Sequence, residues 1–397
     1  MASGRYGVVI GGSGLVGGAI TYHFHNKCGD FHVLAPNSKK LNLRSPAAIP
    51  RYFKKERPDF LINTAIASLG HDTEGIYEIN YLGSLNLANA ALALDIPYIH
   101  MSSAAVLRSG ENVCEHERLE LSAGLADYTK SKLMTELSLE YLHKQYGLDY
   151  TIVRLGIVYG KHDYKIKGLH RLLFSIAAGT LPVLLTRRGV AHSYTNLRKI
   201  PFFVEHILNR RKEFGGRSIN FVDEVPVELS SLILFIRQLM RSKRPHKLHL
   251  PLPLAKTCIS LVDWVKGGMA KIGVESTMPA ELSFLESMYE SQILNTNRLQ
   301  ESSFEDPYQE QTLLTELPAL VRYYLRRWQQ LGLLEKQEQQ VPLRLTKSAD
   351  YFTSDPAHLI ELIHKGGLQH LEALGEFSAR AVLEHGGDPL LKGKQQL

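Results

Sequence analysis

The sequence predicts an α/β protein: a doubly wound parallel sheet, a smaller mixed α/β domain beside it, and a C-terminal helical extension. Three observations carry that expectation. The first 160 residues alternate short apolar runs with helix-like segments, the pattern of a parallel sheet covered on both faces. A glycine-rich turn stands at the first strand-to-helix junction. After Gly160, prolines and longer connections break the rhythm. A chain of 397 residues is long enough for two domains and an appendage. The expected divisions are a parallel-sheet domain over 1–160, a smaller mixed domain over 161–335 with some strands returning to the main sheet, and an extension over 336–397.

The elements follow in order. "YGVVI" (6–10) is a β-branched strand, and a helix begins at Leu15. "FHVLA" (31–35) is the second strand, followed by a helix from Pro46 to Glu56. "DFLIN" (59–63) is the third, followed by a long helix from Thr73 to Leu94. "PYIHMSS" (97–103) is the fourth, and the helix carrying Tyr128 and Lys132 leads to "YTIVRLG" (150–156). Beyond Gly160, "RSINFV" (217–222) and "HKLHLPLP" (246–253) read as strands, some returning to the main sheet. Residues 317–336 form an amphipathic helix, 337–356 a linker and 357–385 a helical pair. In that pair Leu359, Leu362, Ile363, Leu368 and Leu371 make an apolar face that must cover this chain or a partner.

Composition excludes several classes. The net charge of +6 is mild, and the basic clusters at 210–212 and 241–247 lack interleaved aromatics, so no nucleic-acid partner is expected. No apolar run is long enough to span a bilayer, so no membrane is expected either. The chain enters a strand at once, without a charged leader, which points to the cytoplasm. Cys28, Cys114 and Cys258 offer neither a disulfide framework nor ligand spacing, and none of the 17 histidines forms a HExxH pair. No metal is therefore expected.

"VVIGGSGLVGGAI" places Gly11, Gly14 and Gly17 where a strand gives way to a helix. There a tight turn lets backbone amides and a helix N-terminus approach a pyrophosphate. The end of the second strand selects between the two nicotinamide dinucleotides. Asn37, Ser38, Lys39 and Lys40 stand there with no carboxylate to hold a ribose hydroxyl, which favours NADP over NAD. In "ADYTKSK", Tyr128 and Lys132 are helical neighbours. Of the 18 tyrosines, Tyr128 alone has lysine four residues on. Chance gives roughly one such match, so the spacing needs its context.

That context is a resemblance. The glycine loop, "NTA" (63–65), Asn80, "MSS" closing the fourth strand, Tyr128-x-x-x-Lys132 and "RLGIVYG" (154–160) stand in the order of the extended short-chain dehydrogenase/reductase family. "LNLRSPAAI" (41–49) with "RPDFLINTA" (57–65) is similar to its deoxysugar-reductase branch, which includes dTDP-4-dehydrorhamnose reductase and GDP-fucose synthase. The resemblance covers about residues 5–160 and fades from there to about 330. It implies a Rossmann fold in which Tyr128 is the acid/base, Lys132 supports it and holds the nicotinamide ribose, and Ser103 orients the substrate oxygen. Ser102 is the rival to Ser103. The implied cofactor contacts are Gly11, Ser13, Gly14, Leu15, Val16, Gly17, Asn37, Lys39, Lys40, Asn42, Leu43, Thr64, Ala65, Asn80, Ser102, Lys132 and Leu155. For Asn80 a purely structural hydrogen bond is an equal alternative.

Departures narrow the reaction that the resemblance implies. The dehydratases' Asp-Glu pair is replaced by Ala104 and Ala105, which argues against elimination. The epimerising cysteine of GDP-fucose synthases is also absent, with Ala105 there. Leu107 replaces a sugar-contacting tyrosine, and Arg187, Arg188 and Arg198 are candidates for a phosphate-binding arginine. The resulting expectation is an NAD(P)-dependent oxidoreductase acting on a keto or alcohol carbon, with a nucleotide-linked sugar as substrate and a homodimer as assembly. A sugar 4-epimerase, a hydroxysteroid-type dehydrogenase and a non-catalytic NADP(H)-binding interaction protein are the alternatives.

Overall fold

The computed structural model describes residues 4–67, 73–165, 168–179, 186–240 and 288–334, with positions 251 and 253. The expected strand at 246–253, the basic cluster at 241–247, Cys258, the 337–356 linker and the helical pair at 357–385 lie wholly or almost wholly outside the described residues.

Six strands form the main sheet: β1 (Arg5–Ile10), β2 (Phe31–Leu34), β3 (Phe60–Asn63), β4 (Tyr98–Ser103), β6 (Tyr150–Leu155) and β10 (Arg217–Phe221). Their order is β10-β6-β4-β3-β1-β2, and every pairing is parallel. The strands are apolar almost throughout because both faces are covered. Val9, Ile62, Ile99, Met101 and Val153 join the core of α1 (Leu15–Asn26) and α7 (Ile200–Asn209), with Phe24 and Phe203. Val8, Ile10, Leu61 and Ile152 join the opposite core, with Ile49 and Phe53 of α2 (Ala48–Glu56), Leu87 of α4 (Ser84–Leu94) and Leu139 of α5 (Asp127–Tyr146). Adjacent residues thus serve opposite layers, as a two-residue period requires.

The third connection departs from the regular helix expected over 73–94. It runs as α3 (Thr73–Ile76), a wide π-type segment Tyr77–Gly83, then α4. Such widened turns mark functional positions inside helices. Asn80 lies within it, fully buried.

The rest of the chain adds a smaller mixed sheet, in the order β11 (Val227–Glu228), β8 (Ala191–His192), β12 (Gln292–Leu294) and β5 (Gly110–Val113). A two-stranded pair joins β7 (Ile157–Tyr159) to β9 (Tyr194–Asn196). The strand at 217–222 does return to the main sheet, as β10 at its edge. Its outer edge is capped by side chains: Glu115 accepts from the Asn220 amide (3.2 Å) and Arg298 donates to the Ser218 carbonyl (3.3 Å). Glu115 and Arg298 are themselves an ion pair.

Candidate active site

The strand order reverses between β1 and β3, so the crevice beyond their carboxyl ends is where an open α/β sheet places a ligand. The glycine loop stands there. Gly11 has φ +80°, and its carbonyl accepts from the Gly14 amide (2.8 Å), making the tight turn into α1. A Cβ on Gly17 would stand 2.3 Å from the Gly11 oxygen and 2.4 Å from Thr64 Oγ1, so only glycine allows this approach of helix to strand end. Thr64 ties the two strand ends by donating its hydroxyl to the Ile10 carbonyl (2.7 Å). The Ala65 amide donates to Asn63 Oδ1 (3.0 Å), which shapes the next turn. Ser13 and Gly14 are exposed at the loop's tip, while Leu15 and Val16 are half-buried where α1 begins. This cradle fits a dinucleotide pyrophosphate on its geometry alone.

After β2, Asn37 Oδ1 accepts from the Lys39 and Lys40 amides (3.1 Å each), an Asx turn that leaves both lysines exposed. Asn42 makes a similar turn with the Arg44 amide (3.0 Å). Leu43 and Leu155 are instead core residues, one packed with α2 and α4 and the other with α1 and α7. Their side chains serve the fold, and the expectation that they contact a cofactor finds no side-chain support.

Tyr128 and Ser103 meet at the end of β4, and Lys132 reaches the same strand. The Ser103 hydroxyl interacts with the Tyr128 phenol, and Lys132 lies one turn further along α5, 3 % exposed. Burial raises the Tyr128 pKa and the Ser103 hydrogen bond opposes that. Burial pushes the Lys132 ammonium down to about 8, against the attraction of Glu136. Lys132 Nζ donates to the Met101 carbonyl (2.8 Å), which anchors it to β4. Ser102 is engaged elsewhere, donating to Glu136 Oε1 (2.6 Å) in a buried position. Ser103, not Ser102, is therefore the serine beside Tyr128.

Asn80 is committed to structure. Its Oδ1 accepts from the Ala67 amide (2.8 Å), its Nδ2 donates to Ser131 (3.3 Å), and its carbonyl accepts from Thr135 (2.9 Å). The widened turn thus pins the loop after β3 to the helix bearing Tyr128.

Several residues of the site went unnoticed in the sequence. Glu136 is fully buried and receives Arg154 bidentately (3.0 and 2.7 Å), while Arg154 also donates to the Glu115 carbonyl (2.6 Å). This ion pair fixes α5 against β4 and β6, so it holds Tyr128 and Lys132 in register with Ser103. The spacing of Glu136 four residues after Lys132 was a usable signal. His100 is fully buried beneath the same helix, held neutral by burial and by the Lys132 charge. Leu107 packs in an apolar cluster with Val113, Leu133 and Leu294. Arg187 and Arg188 are exposed, and Arg198 lies over the Tyr308 ring at 4.7 Å.

Among the described residues a cavity of about 750 Å³ lies against β10, lined by Arg118, Glu140, Arg217 and Arg298 among others. None of Ser103, Tyr128 and Lys132 lines it, and its walls include the ion pairs Arg118–Glu140 and Glu115–Arg298. No described helix is long and apolar enough to cross a membrane.

Comparison with known proteins agrees with this fold. Residues 8–190 match the sequence model described as the NAD dependent epimerase/dehydratase family. No curated protein sequence matches the chain. Among solved structures, dTDP-glucose 4,6-dehydratase from Bacillus anthracis in complex with NAD is similar with a TM-score of 0.59 and 13 % identity, over 82 % of this chain and 98 % of that one. UDP-glucose 4-epimerase from Thermotoga maritima with UDP-glucose gives 0.58 and 16 %, over 81 % and 99 %. dTDP-4-dehydrorhamnose reductase from Bacillus anthracis in complex with NADP gives 0.57 and 15 %, over 82 % and 99 %. At these identities the likeness is one of fold, shared by three different reactions.

Proposed function

We propose that the chain, whose residues 8–190 match the model of the NAD dependent epimerase/dehydratase family, is an NAD(P)-dependent oxidoreductase that reduces a keto group on a nucleotide-linked sugar. The observation that carries this reading is the hydrogen bond between Ser103 and Tyr128 at the carboxyl end of β4, with Lys132 anchored to the same strand, in a sheet whose β1 end carries a glycine cradle that fits a dinucleotide. A bound nicotinamide supplies the hydride. Tyr128 donates its proton to the substrate oxygen, and a phenol held above its ordinary pKa is protonated at neutral pH, ready to do so. Ser103 hydrogen-bonds the same oxygen and stabilises the charge that develops on it. Lys132 is mostly charged at pH 7 and favours the phenolate left behind. Its two remaining N–H groups are free for ribose hydroxyls.

Reduction is favoured over dehydration because Ala104 and Ala105 supply no second acid and base after Ser103. NADP is favoured over NAD because Lys39 and Lys40 stand exposed on the Asx turn after β2, with no carboxylate beside them. The reductase and epimerase folds seen among solved neighbours act on nucleotide sugars, which suggests the substrate class.

The test is titration of the purified chain with NADPH and NADH, followed by turnover with keto-sugar nucleotides. Exchangeable binding that prefers NADPH, with Tyr128→Phe binding it equally and turning over about 10²–10⁴-fold slower, is the expected result. Tightly retained NAD that survives gel filtration points to an epimerase instead. Undiminished turnover in Tyr128→Phe removes the mechanism.

A further inference from the structure

At the far end of α1 from the glycine loop, three side chains from two elements converge. His23 Nε2 lies 2.7 Å from Glu205 Oε2, and Cys28 Sγ lies 3.1 Å from the same oxygen. His23 belongs to the last turns of α1, Cys28 follows that helix, and Glu205 comes from the middle of α7. All three donor atoms lie within 4.8 Å of one another. Among the described residues they are the one such group of three.

We propose that His23, Cys28 and Glu205 bind one divalent transition-metal ion of the zinc class, clamping the C-terminal end of α1 to α7. One nitrogen, one sulfur and one carboxylate oxygen make a borderline-soft donor set that suits zinc or cobalt and not calcium or magnesium, which take oxygen ligands. Tetrahedral donors about 2.0–2.3 Å from an ion stand roughly 3.3–3.7 Å from each other. The two spacings to Glu205 Oε2 reach that by opening less than about 1 Å.

The surroundings favour a preformed site. The His23 side chain is 5 % exposed, and its ring packs edge-on against Phe202 (4.4 Å) and Phe24 (5.8 Å), so its rotamer is set by packing. The Glu205 side chain is 30 % exposed and Cys28 is half-buried, which leaves a path for the ion and room for a water as fourth ligand. In the metal-free protein Glu205 holds the two other groups by hydrogen bonds. On binding, Cys28 coordinates as thiolate and its proton passes to solvent. His23 coordinates as neutral imidazole, and Glu205 exchanges its hydrogen bonds for a bond to the ion. No electron changes hands.

Cobalt(II) is the probe. The reduced, full-length protein, freed of metal by chelator, is titrated with Co²⁺ while the thiolate-to-cobalt charge-transfer band and the visible d–d bands are followed. One equivalent bound, with tetrahedral d–d intensity and displacement by Zn²⁺, is the expected result. Cys28→Ser abolishes the charge-transfer band although Cys114 and Cys258 remain. Glu205→Gln, at a part-exposed position that tolerates the change, weakens binding about tenfold or more, since even outer-shell partners cost that much. No band at protein-level concentrations overturns the proposal. So does a band unchanged in Cys28→Ser, or wild-type affinity in Glu205→Gln.

Discussion

Lys132 shows how function and stability pull apart at a single residue. The group is buried, so its charged form is disfavoured and its folded pKa falls from 10.5 to about 8. The folded chain therefore binds fewer protons than the unfolded one between about pH 8 and pH 10.5, and stability rises with pH across that window. Below it the charge costs the fold on the order of 3 kcal/mol. Lys132→Met removes that cost while losing the hydrogen bond to Met101, worth about 1 kcal/mol. Urea unfolding at pH 7 should find the variant more stable than wild type by about 2 kcal/mol. The gap should close or reverse above pH 10.5, and cofactor-dependent turnover should be lost. A wild type that is the more stable at pH 7 contradicts this account.

At the scale of elements, the widened turn at Tyr77–Gly83 explains why Asn80 could not be assigned from sequence. A regular helix over 73–94 would rotate Asn80 relative to its neighbours, and the extra residue of a π turn shifts that face. Its amide then bridges Ala67 and Ser131, so the loop after β3 and the helix bearing Tyr128 share one anchor. Asn80→Ala strands the buried Ala67 amide. The variant should lose about 1–3 kcal/mol of stability and bind the dinucleotide more weakly, which calorimetry can read in both respects. Unchanged stability would mean that the bridge contributes nothing net.

Across the whole molecule, segments far apart in sequence close what the sheet leaves open. The edge of β10 is capped by Glu115, just after β5, and by Arg298, which is 183 residues further along the chain. An uncapped edge strand is a template for pairing with another chain. Glu115→Ala leaves the Asn220 amide unpaired, and light scattering should find concentration-dependent self-association that wild type lacks. Equal scattering from both proteins would show that the edge is protected by something else. The same principle governs the site. Glu136 and Arg154 come from a helix and a strand, yet their buried ion pair aligns the catalytic candidates with the end of β4.

The doubly wound sheet was legible in the sequence because a two-faced parallel sheet demands continuous apolar strands, and those runs can be seen without coordinates. The glycine loop was legible for a similar reason: Gly11 needs positive φ and Gly17 has no space for a Cβ. Tyr128 and Lys132 are helical neighbours whatever the tertiary fold. What only the tertiary structure decided are matters of distance across the chain. It showed which serine of the "SS" pair faces Tyr128, because Ser102 is held by Glu136 from another element. It turned Leu43 and Leu155 into core residues. It also brought Glu205 to His23 and Cys28, which no linear spacing announces, because 177 residues separate Cys28 from Glu205. Local sequence governs backbone conformation and periodicity, but packing alone decides which distant side chains share a site.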